Sequence, residues 1–168
     1  MKCLLSLLLI SIGRLSAVDD FSQSLFILER STNANVIHYD AQITSDGTID
    51  PKEPVIVYWV MLAEKNGKRE ELNALEKTLA YGFTIRKDDT GDSYWMTLVS
   101  QKHRPIHIFQ KDGKVHAVTR IGGHDGYLRK IFVKTHRSGL VQTADYFELF
   151  GQELMTGEDC YERVVPEK

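Results

Sequence analysis

At 168 residues with a formal net charge of −2, the chain has the length of one ordinary domain, enough to bury a core without staples. Its lysines and arginines are scattered. The dense basic run that tracks a phosphate backbone is absent, which excludes nucleic acid as a partner, and so is a basic helix suited to a membrane surface.

The N-terminus has the layout of a secretory leader. Met1-Lys2 is a short basic start, residues 3–12 are apolar except for Ser6 and Ser11, and Leu15-Ser16-Ala17 precedes the acidic Asp19-Asp20. The apolar run is well short of the ~20 residues that span a bilayer. The expectation is a signal peptide over 1–17 and a single exported β-rich domain over 18–168, periplasmic or secreted, with no transmembrane segment. Of the two cysteines, Cys3 leaves with the leader. Cys160 is then left without an intrachain partner and reads as a passive thiol.

Short apolar segments then recur between turn residues, the pattern of a sandwich or barrel. A first strand is expected over 25–30. Along 35–43, Ile37, Tyr39, Ala41 and Ile43 share one face, while His38, Asp40 and Gln42 share the other, which predicts a half-buried strand. Residues 55–63 are apolar on both parities and should be covered on both faces. A helix is predicted over 68–79, with Leu72, Leu75 and Leu79 as its packed stripe, Asn66-Gly67 before it and Gly82 ending it. Further strands follow over 94–100, 106–111, 114–121, 128–136 and 141–150. Loops at 122–126 and 138–139 separate the later ones. Asp112-Gly113 predicts a two-residue hairpin pairing Lys111 with Lys114, Phe109 with His116 and His107 with Val118. The fold expected is all-β or β-dominated α+β: an antiparallel meander, barrel or sandwich, of about eight strands with one covering helix.

Candidate chemistry is sparse. His38 and Asp40 fall on one strand face, roughly 6.6 Å apart along the chain. That spacing allows an imidazole base oriented by a carboxylate, with Arg30 or Arg104 holding an anion. Neither Gly-x-Ser-x-Gly nor Ser-x-x-Lys occurs to mark a nucleophile. His103 and His107 lie roughly 13 Å apart on an extended chain and cannot share an ion. His107 and His116, diagonal across the hairpin, are the better metal pair, but an incomplete one. Residues 88–92 lack the ligand spacing of a calcium loop and read as an acidic hairpin loop. A ligand, if one binds, would meet Arg30, Asn33, Asn35, Tyr58, Arg69 and Asn73. Turn chemistry alone also accounts for Ser31, Thr32, Asn33 and Asn35.

An ordered series runs through these residues. It comprises Glu29-Arg30-Ser31 with Asn33-Ala34-Asn35, Tyr39-Asp40, Asp50-Pro51-Lys52-Glu53-Pro54-Val55 and Tyr58-Trp59. It continues through Arg69-Glu70-Glu71-Leu72-Asn73, Leu75-Glu76 and Ala80-Tyr81-Gly82-Phe83 to Arg104-Pro105. The series resembles the exported bacterial family called domain of unknown function 4833, over residues 26–166. The resemblance implies one exported domain and brings no activity, substrate or catalytic residue with it. The reading is an exported binding or accessory module, without a cofactor, whose partner is an unidentified small molecule or envelope protein. The alternatives are a small hydrolase or lyase using His38 and Asp40, and an envelope protein acting through its sheet edge or an apolar patch.

Overall fold

The computed structural model describes residues 22–138 and 141–166. The leader expected over 1–17 lies outside them, as does part of the loop expected at 138–139. The chain is strand-dominated, a curled mixed sheet that forms a half-barrel. The N-terminal arm contains β1 (Ser22–Arg30), β2 (Asn33–Gln42), β3 (Val55–Met61) and β4 (Lys68–Glu71). A short helical segment follows: α1 (Ala74–Glu76) and a π-helical turn (Lys77–Tyr81). The second arm contains β5 (Phe83–Lys87), β6 (Ser93–Leu98), β7 (Ile106–Lys111), β8 (Lys114–Ile121), β9 (His124–Ser138), β10 (Val141–Glu153) and β11 (Asp159–Val164).

The sheet runs β4-β3-β2-β1-β9-β8-β7-β6-β5, with β10 and β11 continuing from the other edge of β9. Each arm is an antiparallel meander, as expected. The junction is not, because β1 runs parallel to β9, with Ile27 opposite Lys130 and Arg30 opposite Val133. One edge of β9 therefore carries β8 at residues 124–127 and β1 at 130–133. Period-two alternation specifies which face is buried but not which strand lies alongside. The Asp112-Gly113 hairpin has the predicted register, and both turn residues have positive φ, which the tight primed turn requires.

Among the described residues the sheet has eleven strands rather than about eight, and the additions explain the misread helix. Lys68–Glu71 is a strand paired with residues 58–61 of β3. Its Lys-Arg-Glu-Glu sequence is helix-forming, but pairing to an apolar strand overrides propensity. Asn66 and Gly67, both at positive φ, turn this β3–β4 hairpin instead of preceding a helix. The helical segment starts only after Asn73, which caps it in a reciprocal box with Glu76. The leucine stripe does not pack as one: Leu72 is buried, whereas Leu75 and Leu79 are 67% and 68% exposed. β5 and β11, also unpredicted, complete the outer ends.

The concave face forms the core. Phe26, Leu28, Ile37, Tyr39, Ala41, Met96, Leu98, Ile106, Ile108, Ile121, Leu128, Ile131 and Leu149 are almost wholly excluded from solvent. Both even and odd residues of β3 are at least partly covered, Trp59 towards the core and Tyr58 on the other side. No helix among the described residues is long and apolar enough to cross a membrane.

Candidate functional site

The two ends of the sheet, β4 with β3 and β5, curl towards each other without joining. β4 pairs only with residues 58–61 of β3. No described strand pairs with that edge of β3 over 55–57. A cleft of about 710 Å3 occupies the gap. Val55, Val57 and Phe83 give it apolar surface, Arg69 and Lys77 supply cations, and Glu53, Glu70 and Glu71 supply carboxylates.

On the outer face beside the cleft, β2, β3 and β4 stack three side chains. The His38 ring lies 5.5 Å from Tyr58, and the Arg69 guanidinium sits 3.6 Å over Tyr58. The Tyr58 hydroxyl donates to Asp40 Oδ2 at 2.5 Å. Asp40 is buried, and its Oδ1 has no hydrogen-bond partner among the described residues. Burial holds the His38 imidazole below its ordinary value. Asp40 pulls it upward, and Arg69 adds to the depression. The cation beside His38 is thus Arg69.

Arg30 and Arg104, the cations expected near His38, have other engagements. Arg30 lies 4.5 Å over the Trp59 ring, donates to the Tyr81 hydroxyl at 2.9 Å and to Asn33 Oδ1 at 3.2 Å. Arg104 grips Glu162 with two hydrogen bonds, at 2.7 and 2.9 Å, and also donates to the Arg120 carbonyl. Glu162 accepts the Gly122 amide as well, so Arg104 clasps the β6–β7 and β8–β9 connections to β11.

The six expected ligand residues separate accordingly. Tyr58 and Arg69 line the cleft. Arg30 and Asn33 meet at the β1–β2 turn. Asn35 spends its side chain on the Ala63 amide and Glu64, and Asn73 is the helix cap. Glu53, Lys77 and Phe83, which also line the cleft, are not among the six expected ligand residues. Their proximity depends on the two ends of the sheet approaching each other across the open side of the half-barrel, which no local pattern encodes.

His107 and His116, the incomplete metal pair, lie on the paired strands β7 and β8, but with an obstacle. Phe109 stands between the two histidines, 5.2 Å from the His107 ring and 5.7 Å from His116. Among the described residues no group of three or more His, Cys, Asp or Glu could hold an ion. Residues 88–92 form the hairpin loop, where Asp88 accepts from Thr90, Ser93 and Trp95. Cys160 lies on β11, and burial first, then Glu153 and Asp159, push its thiol up and away from reactivity.

Burial likewise holds His116 below its ordinary value, with Lys114 and Lys111 adding to the effect. His38 and His116 are therefore preferentially neutral in the fold, and the unfolded chain binds more protons in that window. Their contribution to stability is full above the ordinary pKa of 6.5 and is lost as pH falls through the lowered folded values. Urea midpoints should drop between about pH 7.5 and about pH 5.5, above the carboxylate titrations. Replacing both residues by Gln should flatten that slope, and an unchanged slope would contradict the burial of both rings.

No curated protein and no solved structure matches the chain. A family model described as "Domain of unknown function (DUF4833)" matches residues 26–163, spanning both arms of the sheet and every cleft residue named above, and the chain belongs to that family.

Proposed function

We propose that the protein is an exported binding module that takes a small molecule in the cleft between β3 and β5. The observation that carries this reading is the cleft itself. Its volume, about 710 Å3, lies within the ~300–1,000 Å3 typical of ligand sites, and it joins apolar walls to charges of both signs. Such a lining suits a ligand with an apolar body and ionised groups. Export rests on the leader at 1–17.

The full chain, produced in an exporting host, tests both parts. Its mature mass should correspond to cleavage at or near Ala17. A native mass spectrum should show additional mass that is lost on denaturation. Lys77 is exposed, so Lys77→Glu should fold and lose that adduct by about tenfold. An adduct indifferent to Lys77→Glu would place the ligand elsewhere. A defined oligomer without any adduct would favour the envelope-interaction reading.

The unpaired Asp40 Oδ1 favours one second reading, a small hydrolase or lyase with His38 as base and Asp40 beside it. Buried unsatisfied carboxylate oxygens are rare outside sites that use them. In this reading Arg69 replaces Arg30 and Arg104 as the anion holder. His38→Gln would then retain the adduct but stop its conversion, whereas a pure binding module would be unaffected.

A further inference from the structure

A second groove lies on the outer face of the other arm, at the free edge formed by β5. It is organised around Trp95, which alternation turns away from the core between buried Tyr94 and Met96. Trp95 is fixed in two ways. Its indole N–H donates to Asp88 Oδ1 at 3.2 Å, and one face stacks on the His107 ring, with centroids 4.5 Å apart and planes 20° apart. His107 is held in turn, its Nε2 2.9 Å from Ser93 Oγ, which donates to Asp88 Oδ2 at 3.2 Å. Asp88 thus braces the indole directly and its stacking partner through Ser93.

β6 lies between β7 and β5. Since His107 on β7 covers one face of the indole, the other turns towards β5, the terminal strand of this arm. Thr84 and Thr97 pair there, next to the pair formed by Arg86 and Trp95. The small threonines leave a groove of about 460 Å3 lined with Ile85, Arg86, Trp95 and Pro105. Past Trp95 and Pro105 it opens into a hollow of about 680 Å3 that includes His103, Arg120 and Asp125.

We propose that this groove binds an acidic saccharide, with a pyranose ring on the β5-facing side of Trp95 and its carboxylate against Arg86. A pre-oriented indole offers a flat apolar surface at small entropic cost. Threonine hydroxyls beside it match the hydroxyl rim of a sugar whose C–H face lies on the ring. Charge selects the acidic class. Arg86 and Arg120 are exposed, and neither guanidinium has a side-chain partner among the described residues, whereas Arg104 is occupied by Glu162. The Asp88 carboxylate is occupied by three donors, leaving Asp125 as the main opposing charge. A guanidinium binds a carboxylate through paired, charge-assisted hydrogen bonds. Two free arginines on a chain of net charge −2 are too few to follow a nucleic-acid backbone.

The two tryptophans, Trp59 and Trp95, allow a direct measurement. In the full chain carrying Trp59→Phe, Trp95 is the only indole. Tetragalacturonate should shift its emission saturably, and calorimetry on the unmodified chain should give the same affinity. Arg86→Ala, a surface change, should weaken binding by about tenfold, as should about 0.5 M salt. Trp95→Ala should abolish calorimetric binding, and Lys77→Glu should not affect it, which separates this groove from the β3–β5 cleft. Equal binding of neutral maltotetraose would overturn the acidic assignment. Preference for octathymidylate would replace the saccharide by a nucleic acid. No saturable binding of tetragalacturonate, or binding that survives both Trp95→Ala and Arg86→Ala, would overturn the site.

Discussion

Phe26→Ala should lower the unfolding free energy by about 3–5 kcal/mol, one of the largest effects expected for a single core truncation here. Phe26 is almost wholly buried on β1, the strand through which the two arms join. Its ring stacks on Tyr39 with centroids 4.5 Å apart and planes 16° apart. Tyr39 in turn meets Phe83 edge-on at 6.3 Å and donates its hydroxyl to the Tyr81 carbonyl at 2.7 Å. Truncation therefore removes the support of the side chain that anchors the helical segment and the start of β5. The cavity cannot readily collapse, because β1 is held by β2 on one edge and β9 on the other. In guanidinium titrations the midpoint should fall with little change in slope, since the surface exposed on unfolding is nearly unchanged. Phe26→Leu should cost clearly less, because it refills much of the volume. A loss below about 1 kcal/mol for the alanine variant would contradict a stacked core position for Phe26.

Where alternation was strong, the sequence carried structure directly. The faces of β2 follow from Ile37, Tyr39 and Ala41 opposing His38 and Asp40, and the β7–β8 register follows from the phases of the two strands and Asp112-Gly113. Local signals failed where partners from distant sequence decide. Lys68–Glu71 is helix-forming until β3 offers it an edge, although Asn66-Gly67 was itself a hairpin signal. The parallel contact between β1 and β9 unites segments about 100 residues apart, and nothing in either strand names the other. The candidate site divides along the same line. His38, Asp40 and Tyr58 were within reach of pattern reasoning, since neighbouring strands place them. The cleft was not, because Lys77 and Phe83 reach Val55 and Arg69 only when the sheet curls.

Gly82→Ala should test that curl most directly, costing about 1–3 kcal/mol or more and removing the cleft ligand. Gly82 ends the helical segment as its sequence position suggested, but not by adopting a left-handed conformation: its φ is −70° and ψ 172°. The constraint is steric. A Cβ there would run into the Lys77 carbonyl oxygen and lie 2.7 Å from the carbonyl carbon. These are backbone atoms, so no rotamer change can give way. Gly82 cannot retreat freely either, because its carbonyl accepts the Val99 amide at 2.9 Å. The added methyl must therefore shift the π-helical turn or the start of β5, both of which line the cleft through Lys77 and Phe83. Gly47→Ala provides the contrast. Its site has a positive φ of 84° but nothing within 4 Å of the new Cβ, so only about 1–2 kcal/mol of backbone strain is expected, with ligand retention unchanged. If the two variants lose similar stability and both retain the native adduct, the close approach at Gly82 does not set the cleft. If Gly82→Ala alone loses the adduct while remaining folded by circular dichroism, the junction of the helical segment with β5 is what holds the two ends of the sheet at the separation a ligand requires.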